Sequence, residues 1–138
     1  MVVVLRVVAA LLAVLPFLPP LLARAGLHGA AEVLDAVWVP LCHRIPERCL
    51  VLFGTTMPVC SRCLGLIVGL GAGIAIARPL LEPRVLIVVV GLAAVFLGAE
   101  LVTQDLGWHP VFHPTRLLSG LLLAYPIGST AGALARGR

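Results

Sequence analysis

Charge is scarce in this chain. Only 12% of its 138 residues are charged, against about 25% in an ordinary soluble domain. That excludes a globular surface facing water on all sides. Lysine is missing altogether: the ten basic residues are all arginine, a usage that points to a GC-rich bacterial genome and carries no mechanism. The formal charge of +4 is spread along the chain, and aromatics make up 5%. With neither a basic run nor an aromatic platform, a nucleic-acid partner is not expected. Also missing are a nucleophile–base pair, a phosphate-binding glycine loop and a dinucleotide fingerprint. Gly69, Gly71 and Gly73 alternate inside an apolar run, where glycine serves helix packing.

What is present is apolar. Hydrophobic residues make up 61% of the chain, more than a core of this size can bury, so the excess must face lipid. The length suits one domain. Four long apolar runs predict an all-α fold, an integral membrane four-helix bundle spanning residues 2–23, 59–77, 85–102 and 117–135. Each approaches the roughly 20 residues that cross a core about 30 Å thick. Pro16, Pro19 and Pro20 should kink the far end of the first run. That run also reads as a cleaved signal peptide, with Ala23-Arg24-Ala25 as the cleavage pattern. Between the first two spans, residues 26–41 read as a short interfacial amphipathic helix. Leu27, Ala31, Leu34 and Trp38 line its apolar side, His28, Glu32 and Asp35 its polar side, and Trp38 is expected at headgroup depth.

Residues 42–58 then read as a loop, with Thr55 or Thr56 capping the second span and Pro58 in its first turn. Arg78-Pro79 and Glu82-Pro83-Arg84 make a polar turn, and residues 104–115 a second loop. Small residues recur every four positions at Gly65, Gly69 and Gly73, and again at Gly120, Ala124, Gly128 and Gly132. Such stripes let helices approach closely, within this chain, in a homo-oligomer or against a membrane partner. Counting crossings puts both polar loops on one side of the bilayer. Arginines divide evenly, five to each side, so the positive-inside rule discriminates little. The signal-like start favours cytoplasmic termini in the inner (plasma) membrane, with the cysteine loops outside.

Chemistry-bearing residues gather in those loops. Cys42-His43 is followed, sixteen residues on, by Cys60-Ser61-Arg62-Cys63. A C-x-x-C pair at a helix start can chelate one metal ion or close a redox disulfide. Cys42 and His43 would complete a Cys/His set for zinc or another, softer transition metal. Cys49 is the odd thiol. Arg44, Arg48, Arg62, Glu100, Gln104 and Arg116 are expected as a polar shell, with Glu100 paired to one of the arginines, because an isolated charge at the hydrocarbon edge is costly. His109 and His113 are four apart, but Pro110 and Pro114 break the helix that would align them.

The residues Cys42-His43-Arg44-Ile45-Pro46-Glu47-Arg48, then Met57-Pro58-Val59-Cys60-Ser61-Arg62-Cys63-Leu64-Gly65, then Glu100 to Gln104 and Arg116 to Gly120 resemble the small prokaryotic membrane proteins grouped as domain of unknown function 2085. The resemblance implies a membrane protein and brings no activity. Against the family's pattern, Cys49 stands where serine is usual, Leu64 for threonine, Glu100 for aspartate and His113 near an expected asparagine. Three readings follow: a membrane protein binding a metal through Cys42, His43, Cys60 and Cys63; a thiol–disulfide oxidoreductase using Cys60 and Cys63; and a non-catalytic assembly protein.

Overall fold

Proline and glycine positions set the order of elements along the chain. The computed structural model describes residues 2–76 and 82–137; the expected end of the second span at Ala77 and the Arg78-Pro79 turn lie outside them. Helix α1 (Val2–Val14) runs through a 3-10 turn (Leu15–Phe17) into α2 (Leu18–Arg24). The interruption falls at Pro16, as the missing N–H of proline requires. Together these elements make one apolar stretch, Val2–Arg24, long enough to cross a membrane. Helix α3 (His28–Ala36) follows after Gly26 turns the chain at a φ of 82°.

The next segment departs from the expected loop. Residues 49–60 form a β-hairpin, β1 (Cys49–Leu52) antiparallel to β2 (Thr55–Cys60), so the fold is mostly helical but not all-α. Leu52 pairs with Thr55, leaving Phe53 and Gly54 as a two-residue turn with φ of 53° and 79°. Both central residues in the left-handed region is the geometry that matches strand twist. The β-branched Val51, Thr55, Thr56 and Val59 suit the strands. Thr55 and Thr56 therefore pair in the sheet instead of capping a helix, and Pro58 sits in β2.

Helix α4 (Ser61–Ile76) starts directly after β2, and α5 (Pro83–Asp105) and α6 (His113–Leu134) complete the chain. Three stretches among the described residues are long and apolar enough to cross a membrane: Val2–Arg24, Pro83–Asp105 and His113–Leu134. The expected second span is shorter, because the hairpin takes Val59 and Cys60. Its 16 described residues rise about 24 Å.

Helices α4 and α6 lie side by side and run in the same direction: Gly65 faces Leu117, Gly69 faces Leu121 and Ala124, and Gly73 faces Tyr125. The two small-residue stripes thus meet each other within one chain. A Cβ on Gly120 would lie 2.5 Å from the Arg62 carbonyl oxygen, closer than atoms can pack. Gly71 meets α1 at Ala9 and Ala13 in the same way. Helix α5 is different: only Ala93 and Glu100 are buried along it. Between Val85 and Ala99 its side chains are apolar and mostly exposed, as expected for a lipid-facing helix.

A second packing centre sits at the hairpin end. Trp38, Cys42, Met57, Val59 and Leu64 form one buried cluster. Trp38 is 4% exposed, so it anchors this core. The expected 26–41 helix is also shorter, because the chain after Ala36 leaves the helix in turns that carry Trp38 inward and deliver Cys42 to the cluster.

The helix contact yields a paired test. Gly120→Ala should lower the unfolding midpoint of the detergent-solubilised protein by the equivalent of about 1–3 kcal/mol, the usual cost of overpacking. Gly91→Ala, where a Cβ meets nothing within 4 Å, should leave the midpoint unchanged or slightly raised. Equal responses of the two variants would contradict the packing.

Candidate metal centre

The hairpin's burial against Trp38 fixes where Cys60 ends up: the last residue of β2, opposite Cys49 in the register and immediately before α4. Cys63 follows in the first turn of α4, so the C-x-x-C pair straddles a strand-to-helix junction. Cys42 arrives from the other side, positioned by its N–H donating to the Trp38 carbonyl at 3.1 Å. The three sulfurs lie within 4.8 Å of one another. Backbone donors aim at two of them: the Cys60 N–H at Cys42 Sγ (3.3 Å) and the Cys63 N–H at Cys60 Sγ (3.5 Å). Donors of this kind favour the thiolate over the thiol.

Cys60 is accordingly an acidic thiol. The hydrogen bond from the Cys63 side chain is the largest cause, and the Cys63 and Arg62 backbones and Cys42 add to it; against burial, they lower the group from 9.0 to about 4. Cys49 behaves oppositely. Burial, with the neighbouring Cys42 and Cys60, pushes it up to about 11. It is 3% exposed and outside the trio.

Arginines surround the sulfurs. A cavity of about 410 Å³ is lined by Cys42, Cys60 and Cys63 together with His43, Arg44, Arg48, Arg62 and Arg116. Three of its guanidiniums have a carboxylate: Arg44 pairs with Asp35, Arg48 with Asp105 at 3.0 Å, and Arg62 with Glu100 at 3.3 Å. Arg116 has none among the described residues. It is 2% exposed, donates to the Gln104 side-chain oxygen, and interacts with the Cys60 sulfur. Arg44 reaches Asp35 from a left-handed backbone (φ 50°), a conformation that costs a non-glycine residue about 1 kcal/mol or more.

Glu100 is the hub of the polar set. One carboxylate oxygen accepts from Thr115 (2.7 Å) and Gln104 (3.5 Å), the other from Ser119 (3.0 Å) and Arg62. Four donors fill the four lone-pair sites of an ionised carboxylate, and they come from α4, α5 and α6. The expected pairing of Glu100 with one of four arginines therefore resolves to Arg62.

The two polar connectors meet at this end of the helices, through Arg48–Asp105 and through a 3.2 Å contact between His113 Nδ1 and Ser61 Oγ. The second connector is shorter than expected, since Gln104 and Asp105 belong to α5 and His113 to α6. Of the residues named from the sequence, Cys42, Cys60, Cys63 and the arginines come together. His43 lines the cavity but is exposed and outside the sulfur trio. His109 is exposed and contacts Thr103 at 2.9 Å. Thr115 and Ser119 were missed as Glu100 partners; their four-residue spacing on one face of α6, opposite a buried acid, was the available signal.

Residues 42–130 match the family described as "Predicted membrane protein (DUF2085)". The chain belongs to that family. The matched segment holds the hairpin, all four cysteines and the whole Glu100 network. An uncharacterised protein of Methanocaldococcus jannaschii is 27% identical over 101 residues, covering 68% of this chain. The match spans 63% of that relative's own length. No solved structure matches the chain.

The contrast between thiols is measurable. In metal-free protein at pH 6, iodoacetamide should label Cys60 first, because the thiolate is the reactive form, while Cys49 stays unlabelled up to about pH 10. Below about pH 4 Cys60 is protonated and its advantage disappears. Peptide mass spectrometry across pH checks this; equal labelling of Cys49 and Cys60 at pH 6 would contradict it.

Proposed function

We propose that this membrane protein binds a divalent transition-metal ion through Cys42, Cys60 and Cys63, with zinc as the leading candidate. The proximity of the three sulfurs carries the reading, and soft thiolates in a near-tetrahedral or trigonal set suit zinc and its neighbours. Charge balance favours a divalent ion. Once binding has displaced the thiol protons, including the one Cys63 donates to Cys60, three thiolates and three carboxylates against four guanidiniums carry two net negative charges. A divalent cation cancels them, and at the edge of a bilayer an uncancelled charge is costly. The Glu100 network keeps Arg62 and Arg116 beside the sulfurs, so the binding groups are held by buried hydrogen bonds before any ion arrives. The cysteine-bearing end is assigned to the extracytoplasmic face of the inner membrane, consistent with the signal-like first helix.

A second reading has its own support. Cys63 also lines an apolar cavity of about 440 Å³ beside α1 and α4, walled by Leu5, Val8, Leu12, Leu70 and Ile74. A lipid-soluble two-electron acceptor of the quinone class in that cavity would sit beside the C-x-x-C pair. Oxidation would join the Cys60 thiolate and Cys63 thiol sulfurs, giving up two electrons and the Cys63 proton, and the quinone would take these with one proton from water to become quinol. Differential alkylation separates the readings: a thiol oxidoreductase cycles Cys60 and Cys63 between disulfide and dithiol, whereas a metal site keeps both reduced.

Protein purified in detergent without chelator should carry about one equivalent of a transition metal by mass spectrometry. Cys42→Ser, Cys60→Ser and Cys63→Ser should each lower occupancy at least about tenfold, since every lost thiolate removes a ligand. Cys49→Ser should retain the metal. Less than about a tenth of an equivalent in folded wild-type protein would overturn the proposal.

A further inference from the structure

Three sulfurs leave a tetrahedral ion of the zinc type one donor short. The charge count decides what kind of donor fits the remaining place. With a divalent ion, the thiolates, carboxylates and guanidiniums around the site sum to zero. An anionic fourth ligand would restore a net charge at the bilayer edge, where one is costly. Cys49 would bring such a charge, and it is buried outside the trio. A neutral donor completes the shell without that cost.

A neutral imidazole borders the same space. His43 lines the cavity of about 410 Å³ together with all three sulfurs, and it follows Cys42 directly in the chain. The other histidines are engaged or elsewhere: His109 contacts Thr103 and the Pro110 carbonyl, His113 contacts Ser61, and His28 lines a different cavity beside α3. His43 is exposed, and its ring has no hydrogen-bond partner among the described residues. The segment carrying it is free to adjust. Residues 42–45 belong to no helix or strand, and among the described residues neither the His43 nor the Arg44 N–H donates a hydrogen bond. Consecutive Cα atoms are about 3.8 Å apart, so an ion on the Cys42 sulfur is within reach of the neighbouring imidazole after side-chain rotation and a small shift of this segment.

We propose that His43 is recruited as the fourth ligand when the ion binds, closing the site as a set of three cysteines and one histidine. This inference rests on the three-thiolate reading above. Zinc accepts thiolate and imidazole together in sets of this composition. Three donors are in place before the ion arrives, and the fourth moves in with it. Four protein ligands leave no position for a substrate, which is the property of a site that holds an ion; sites that use the ion on a bound molecule keep one position open. The recruited ligand is the exposed one, so the ion enters and leaves on the side of the cavity that His43 covers.

The test uses the full-length protein in detergent, with and without Co²⁺, treated with diethyl pyrocarbonate and read by peptide mass spectrometry. His43 should be modified readily in metal-free protein and at least about tenfold more slowly once cobalt is bound, since the ligating ring nitrogen is no longer free. His28, which is also exposed, should be modified equally in both. His43→Ala should still take cobalt on its three sulfurs, with d–d bands displaced from those of the wild type, and added imidazole should move them back. Equal modification of His43 with and without cobalt, or identical bands in the wild type and His43→Ala, overturns the inference and leaves the three-sulfur site standing. Failure of the folded protein to take up cobalt overturns both. The protection measured on the wild type decides the matter without any variant.

Discussion

A single buried carboxylate organises this molecule. Glu100 is the only ionisable side chain buried along α5, and it accepts from donors on α4, α5 and α6. From Val85 to Ala99 helix α5 carries no charged or hydrogen-bonding side chain, and between apolar helices in lipid there is no hydrophobic force to favour one rotation over another. The carboxylate supplies what is missing. It orients α5, and through Arg62 and Ser119 it sets the rotation of the other two helices. Removing one partner of such a buried pair leaves an uncompensated charge, which costs far more than the pair contributes in net stability.

The same network connects the membrane bundle to the sulfur chemistry. Arg62 lies between Cys60 and Cys63 in sequence, so the bond that holds α4 to α5 also fixes the turn carrying the C-x-x-C pair. From the opposite side, the hairpin packs Met57 and Val59 against Trp38, and Trp38 accepts the backbone N–H of Cys42. The trio is therefore assembled by two independent devices, an ionic one within the helix ends and an apolar one beneath the hairpin. Both rest on contacts within the protein, and Cys42 belongs to the apolar cluster itself, so the sulfurs gather before an ion binds.

Much of this was legible in the sequence, where chemistry is tied to spacing. The apolar runs located the long helices to within a few residues, since twenty lipid-soluble residues have few other uses. The four-residue stripes correctly indicated that two helices would approach closely, because the signal lies in residue size. The gathering of Cys42, Cys60, Cys63 and the arginines at one end followed from counting crossings. The hairpin was not legible. Its turn is Phe53-Gly54, which lacks the usual asparagine or aspartate before glycine, and Pro58 argued against a strand. The end of the helix before the hairpin was placed too late for a related reason: helical periodicity continued past Ala36 in the sequence, but the chain turned. The partner of Arg116 was invisible too, because nothing in a sequence says that a fully buried arginine will be met by a neutral amide and a sulfur.

The central claim is that the three sulfurs act as one ligand set. X-ray absorption at the edge of the bound metal reads that set directly. The account predicts three sulfur scatterers at about 2.3 Å for zinc, with one lighter atom completing the shell. A first shell of nitrogen and oxygen without sulfur would contradict it.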